Sequence, residues 1–178
     1  MAASIFTSRL QIRLYTENDF PHIFRLQSDE EIMRYIRAAT NDERVVRERS
    51  DKWLSYAAEN PGYGVWILED NDDQSFIGYA VLRHVEFTPG KEIEVGYTVE
   101  KKQWGKGYAT EATLGLMQYA EEKLGISSFV AFTDTENAAS NRVMEKCGFH
   151  RAGMVRVYDA ECLKWIMNNG QWIMNNEQ

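Results

Sequence analysis

The sequence predicts an α/β protein built on one mixed, mostly antiparallel sheet. Three features carry that reading. Short segments alternate apolar and polar residues at the two-residue period of half-buried strands, as in Leu10-Gln11-Ile12-Arg13-Leu14-Tyr15. Other segments repeat apolar residues at three- and four-residue spacing between recognisable caps, as from Ala109 to Leu124. Antiparallel strands come first and a strand–helix–strand crossover follows, giving the order β-α-α-β-β-β-α-β-α-β-β, with about seven strands and about four helices.

In chain order, the Leu10–Tyr15 strand stops at Thr16-Glu17-Asn18-Asp19, a capping-box-like helix start. Phe20, Ile23, Phe24 and Gln27 then keep helical spacing, in a helical region drawn from Phe20 to Ile36. A second helix begins after Asn41-Asp42 and ends at Asn60-Pro61-Gly62. Tyr63 to Glu69 and Ser75 to Val85 read as strands around a polar turn, and Pro-Gly within Phe87 to Lys91 marks another turn. Glu92 to Val99 alternates again, with Glu92, Glu94, Gly96 and Thr98 on one face and Ile93, Val95, Tyr97 and Val99 on the other. The Ala109–Leu124 stripe is a helix closed by Gly125. Ser128 to Asp134 is a strand. Asn137 to Cys147 is a helix with Asn137 as N-cap and Gly148 at the left-handed C-cap, so that Phe149 can fold back on Met144. From Ala152 to Asn176 the chain is strand-like. There, Trp165-Ile166-Met167-Asn168-Asn169 recurs as Trp172-Ile173-Met174-Asn175-Asn176, and Asn169-Gly170 predicts a hairpin of Lys164–Asn168 with Gln171–Asn175.

Residues 1–178 are expected to form one domain. An apolar fraction of 44% and a charged fraction of 26% are ordinary globular values. Met1 to Arg13 holds no apolar stretch that could act as a secretory signal, and no run approaches the roughly 20 apolar residues of a membrane helix. The chain is therefore read as cytoplasmic, with no membrane partner. Its net charge of −7 disfavours nucleic acid. Cys147 and Cys162 match no disulfide framework or metal spacing, and His22, His84 and His150 are scattered, so no metal is expected.

The richest stretch runs from Glu94 through Lys101, Lys102, Trp104, Gly105, Lys106, Gly107 and Tyr108 to Ala112. A strand ends, two glycines permit tight turns, and a helix begins. Free N–H groups and the helix dipole at such a junction suit a pyrophosphate, and glycines let the backbone approach it. A P-loop spacing is absent, and Thr110 stands where a dinucleotide fingerprint needs its third glycine. A turn without a ligand stays open on this stretch alone.

With the helix Asn137-Ala138-Ala139-Ser140-Asn141-Arg142-Val143-Met144-Glu145-Lys146-Cys147-Gly148-Phe149 added, the chain resembles the GCN5-related N-acetyltransferases (GNAT), in particular the RimJ and RimL type of ribosomal-protein N-terminal acetyltransferases. The loop is similar to that family's Gln/Arg-x-x-Gly-x-Gly/Ala motif, read over Lys102 to Gly107 with Lys102 in its first position. The resemblance implies a GNAT-like sheet and acetyl-coenzyme A as co-substrate. It also implies an amine acceptor, a small molecule or a protein N-terminus, and allows for a homodimer. Residue by residue, Trp104, Gly105, Lys106, Gly107, Tyr108 and Ala109 would bind the pyrophosphate. Tyr97, Thr98 and Val99 would pair with the pantetheine arm, and Asn137 and Ser140 would face that arm or the sulfur. Backbone N–H groups around Tyr97–Thr98 would hold the oxyanion.

Acetyl transfer to an amine needs a base, because an α-amine titrates near 7.7–8.0 and a lysine near 10.4. Glu94 is the candidate base, with Glu92 its rival on the same face. Many relatives carry an acidic tyrosine on the last helix where this chain has Met144. Ser140 is the alternative, with Tyr97, Tyr108 and Tyr158 as competitors, and Cys147 is assigned to packing. A coenzyme A-binding regulatory domain without catalysis is the alternative function.

Overall fold

Thr16 marks where the chain first leaves the sheet. Its N–H and hydroxyl both donate to Asp19 Oδ2, at 2.8 and 2.9 Å, closing the turn that the sequence signals. Arg13 donates to both oxygens of the same carboxylate at 2.9 and 2.7 Å, which ties the turn to the preceding strand. The structure, a computed structural model, describes residues 4–85 and 92–168.

The strands are β1 (Ser4–Phe6), β2 (Leu10–Leu14), β3 (Gly64–Asp70), β4 (Phe76–His84), β5 (Ile93–Val99), β6 (Ser128–Thr133), β7 (His150–Val157) and β8 (Ala160–Asn168). They form one eight-stranded sheet in the order β1-β2-β3-β4-β5-β6-β8-β7. The strands pair antiparallel except β5 with β6, the crossover joined by α4. The helices are α1 (Phe20–Gln27), α2 (Glu30–Met33), α3 (Glu43–Glu59), α4 (Tyr108–Leu124) and α5 (Ala138–Lys146).

The sheet separates two cores. Leu10, Ile12, Trp66, Leu82, Val95 and Trp165 pack with Leu116 of α4 and Met144 of α5 on one face. Tyr15, Ile67 and Tyr79 pack with Ile23 of α1 and Val46 of α3 on the other. Among the described residues the strand and helix counts exceed expectation by one each. β1 is a three-residue edge strand with Phe6 exposed, too short to show a period. The helical region after Phe20 is broken at Asp29, whose carboxylate accepts from the N–H groups of Glu31 and Ile32 at 2.9 and 3.0 Å and starts α2 afresh.

Other local signals are realised as read. Asp42 caps α3 through the Arg44 N–H at 3.0 Å. Gly148 is left-handed at φ 85°, and the Phe149 N–H reaches back to the Met144 carbonyl at 3.0 Å. The Phe87–Lys91 turn lies outside the described residues, as does the second half of the Asn169-Gly170 hairpin. In the described half, β8 is paired with β6 on one side and β7 on the other, so Lys164–Ile166 offers no free edge.

Candidate active site

The site begins with the pairing of β5. The Glu100 N–H donates to the Ile77 carbonyl and the Val85 N–H to the Glu92 carbonyl, each at 2.9 Å. Antiparallel alternation therefore turns the backbone of the even-numbered residues of β5 toward β4, and that of Val95, Tyr97 and Val99 toward β6. Among the described residues β6 meets β5 at the single pair Glu94–Val130, and the strands then diverge. Tyr97 and Val99 thus present backbone groups to an open slot in the sheet. Thr98 is paired to Tyr79 on β4, so its N–H is not an available oxyanion donor, and the Tyr97 N–H is the one that faces the slot. The Val99 carbonyl already accepts from the Trp104 indole at 2.8 Å.

The loop beyond β5 makes the left-handed turns its glycines permit. Gly105 and Gly107 are left-handed, at φ 74° and 86°, and Gly107 is the N-cap of α4, with no side chain bonded across its first N–H groups. A clamp that the sequence did not reveal holds the loop from outside. Arg9, in the turn between β1 and β2, donates to the Lys106 carbonyl at 2.9 Å and to Glu111 Oε2 at 2.7 Å. Glu111 also accepts from the Arg9 N–H at 2.7 Å and the Thr7 hydroxyl at 2.6 Å. Local periodicity carries no trace of a contact this far apart in the chain.

Slot and loop open into a cleft of about 420 Å³. Of the expected residues, Tyr97, Thr98, Val99, Trp104, Gly105, Gly107, Tyr108, Ala109, Asn137 and Ser140 line it. Lys102 and Lys106 do not. The Lys102 ammonium lies 3.0 Å from Glu100, Lys106 donates to Gln103 Oε1 at 2.9 Å, and Lys101 pairs with Glu31. The cations at the cleft are instead Arg34 after α2, and Arg142 and Lys146, one turn apart on α5. The Gly-x-Gly/Ala part of the motif also fits a second register, Trp104-Gly105-Lys106-Gly107-Tyr108-Ala109, with Trp104 in the place of the Gln or Arg. That register suits the structure better, because Trp104 lines the cleft and Gly107 starts the helix.

On the α4–α5 side, the Tyr97 hydroxyl donates to Ser140 Oγ at 3.1 Å. Burial pushes the Tyr97 pKa up to about 12, with the Ser140 contact pulling the other way. Asn137 Oδ1 caps α5 by accepting the Ser140 N–H at 3.1 Å. Asn141, buried behind it, accepts from the Thr133 hydroxyl at 2.6 Å and donates to the Thr135 carbonyl at 3.2 Å, fixing the loop before α5. Met144 lies in the core and supplies no hydroxyl. Cys147 is also buried, its thiol pushed up to about 12 by desolvation, in keeping with a packing role.

Glu94 projects to the opposite face, away from the cleft lining. It is buried, and its Oε2 accepts both the Arg83 Nε–H at 2.8 Å and the Tyr158 hydroxyl. Its Oε1 accepts no hydrogen bond among the described residues. Burial alone would lower the Arg83 pKa, but the Glu94 charge more than reverses this and keeps the guanidinium protonated. Tyr158 and Asp159 form a two-residue turn between β7 and β8, both left-handed at φ 50° and 62°, which delivers the phenol back across the sheet. The rival Glu92 is paired with Lys164 at 2.6 Å.

Residues 9–150 match the family model described as Acetyltransferase (GNAT) domain. The uncharacterized N-acetyltransferase YoaA of Bacillus subtilis is 31% identical over 153 residues, covering 85% of each chain. The crystal structure of an acetyltransferase from Agrobacterium tumefaciens superposes with a TM-score of 0.82 at 22% identity, over 94% of this chain and 95% of that one. Spermidine N-acetyltransferase from Vibrio cholerae, solved with CoA and spermine, gives 0.77 at 17% identity, over 94% and 99%.

Proposed function

This chain belongs to the GNAT acetyltransferase family, and from that premise we propose that it transfers the acetyl group of acetyl-coenzyme A to a primary amine by direct attack on the thioester. The observation that carries this reading is the open slot beside Tyr97 and Val99, continuous with a glycine cradle at the start of α4. An extended amide-bearing arm finds unpaired strand groups in the slot, and a pyrophosphate finds free N–H groups at Gly105, Gly107 and the first turn of α4. Arg142 and Lys146 supply positive charge at the mouth. Among the described residues no helix is long and apolar enough to cross a membrane. CoA is bound in the Vibrio cholerae relative, which supports the same partner here.

Acetyl-coenzyme A supplies an acyl thioester already activated for attack. The chain's own residues then have separate tasks. The Tyr97 N–H points into the slot and stabilises the developing oxyanion. Glu94 Oε1, on the acceptor face, takes the amine proton through water, while Arg83 and Tyr158 fix the carboxylate by its other oxygen. The Tyr97–Ser140 pair faces the departing sulfur. A hydroxyl of pKa about 12 is a weaker acid than an ordinary thiol near 8.5. Tyr97 therefore does not protonate the thiolate; by donating to Ser140 it orients the serine hydroxyl, which hydrogen-bonds the sulfur, and the missing tyrosine at Met144 is compatible with turnover. Release of the coenzyme thiol with and without amines tests the reading. Amine-dependent release supports it, whereas tight coenzyme binding without turnover on any amine selects the regulatory alternative. The RimJ/RimL-type assignment belongs to the same proposal and predicts acetylation of a ribosomal-protein N-terminus.

A further inference from the structure

We propose that Arg49 and Arg37 form an anion-binding end of the acceptor site, so that the acetylated amine also carries a carboxylate or phosphate group. The inference rests on the transferase reading above and adds the chemistry of its acceptor.

Most arginines in this acidic chain face a carboxylate. Arg9 pairs with Glu111, Arg13 with Asp19 and Glu69, and Arg83 with Glu94. Arg49, on α3, is an exception: it donates to the neutral Gln27 Oε1 at 2.6 Å and has no ion pair among the described residues. Arg37 likewise has no side-chain partner there. The segment that carries Arg37 is folded back on the end of α1, through the Thr40 N–H to the Gln27 carbonyl at 2.9 Å and the Arg37 N–H to the Met33 carbonyl at 3.2 Å. Gln27 is thus shared between the Arg49 side chain and the segment that bears Arg37. Burial and the neighbouring Arg37 charge both hold the Arg49 pKa below the usual arginine value.

The pair stands beside the cleft. Neither guanidinium lines the cleft itself, but Arg37 follows Ile36, a cleft residue, and Arg49 is carried on α3 between Val46 and Trp53, which pack against Tyr79, the β4 partner of the cleft residue Thr98. On this face Val81 opposes Gly96 in the register, which leaves a floor of small and apolar groups between the guanidinium pair and Glu94. Two like charges on neighbouring segments, with no counter-ion among the described residues, oppose folding. Their planar donor forks suit an incoming oxyanion, and a polyamine would be repelled.

The test uses amine pairs that differ in the anion: tyrosine with tyramine, 6-aminohexanoate with hexylamine, and O-phosphoethanolamine with ethanolamine, with spermidine as a cationic probe. Each is titrated calorimetrically into protein saturated with coenzyme A, and turnover with acetyl-coenzyme A is measured in parallel. The anionic member should bind about 10- to 100-fold tighter in the carboxylate pairs, the phosphate pair, or both. Arg49→Gln should bring that ratio close to unity, with Arg49→Lys retaining part of it. Equal binding within every pair, absence of binding by all members, or tighter binding of spermidine overturns the proposal. So does a ratio that Arg49→Gln leaves intact. Preference in binding with no turnover of any amine leaves this inference standing and overturns the transferase reading, whereas turnover without preference does the reverse.

Discussion

Replacing Gly105 with alanine separates backbone strain from ligand contact. Gly105 lies at φ 74°, and a Cβ built there meets no protein atom within 4 Å. Within the protein the cost is therefore conformational, about 1–2 kcal/mol for alanine in the left-handed region. That corresponds to a Tm lower by roughly 2–8 °C in a chain of this size. Gly125 is a matched control: its φ is 68°, its Cβ also meets nothing within 4 Å, and it ends α4 at the far end from the cleft. In Gly105→Ala the methyl group stands where the loop backbone would approach a pyrophosphate. Loss of one charge-assisted hydrogen bond costs about 1.5–3 kcal/mol, a rise in Kd of roughly 10- to 150-fold. Thermal melts of both variants and calorimetric titration with acetyl-coenzyme A complete the comparison. Similar Tm losses are expected, with affinity lost in Gly105→Ala and retained in Gly125→Ala. An unchanged Kd in a folded Gly105→Ala protein would refute the cradle.

Three further outcomes can be checked. Glu94→Gln keeps the contacts to Arg83 and removes the basic oxygen, so kcat should fall about 10²-fold with acetyl-coenzyme A affinity retained. Steady-state rates should partly recover at high pH, and a parental pH profile would make Glu94 a structural partner of Arg83. Tyr97→Phe should lower kcat about 10-fold, because the Ser140 hydroxyl loses the partner that orients its hydrogen bond to the charged sulfur. Because the Tyr97 hydroxyl stays neutral up to about pH 12, the alkaline limb of the rate profile should keep its position in the variant; a shifted limb would assign that limb to Tyr97. Asp19→Asn should destabilise the fold by about 2 kcal/mol, because Arg13 keeps Glu69 as a partner and is partly exposed. Burial pushes the Asp19 pKa up, but hydrogen bonds from Arg13 and Thr16 outweigh it and leave the pKa lowered. This contribution is present above the ordinary carboxylate pKa near 3.9 and is lost as pH falls through the lower folded value. Urea melts should therefore show a steady gap between parent and variant at neutral pH that closes in acid; a gap insensitive to acid would exclude the ion pair as its source.

What was legible in the sequence was local. Caps at Asp42, Asn137 and Gly148 depend on neighbours a few residues away, so both the helices and their ends could be placed. The glycine loop could be read for the same reason. Lys102 and Lys106, expected at the coenzyme, lie off the cleft because Lys102 is drawn to Glu100 and Lys106 to Gln103, while Lys101 meets Glu31 across much of the chain. The Thr98 N–H turns toward β4 and the Tyr97 N–H toward the slot, a direction that depends on which neighbour β5 pairs with, a property of the sheet. The Arg83–Glu94 pair could have been found from the hairpin register of β4 and β5. The Tyr158 contact, the Arg9 clamp and the α2 wall of the cleft could not, since each brings together segments whose local patterns are independent.

The fork between β5 and β6 makes ligand occupancy a question of durability. Five strands lie on one side and three on the other, sharing the single pair Glu94–Val130 among the described residues. An empty molecule thus has a seam between its halves, bridged by α4 and α5 and by the Tyr158–Glu94 and Lys164–Glu92 contacts. An extended ligand in the fork acts as a splint across that seam. A ligand bound only by the closed form adds about 2.7 kcal/mol at a hundred times its Kd, enough to change the lifetime of the chain against proteolysis. On the proposed function, the concentration of coenzyme would then set how long the protein resists proteolysis as well as how fast it works.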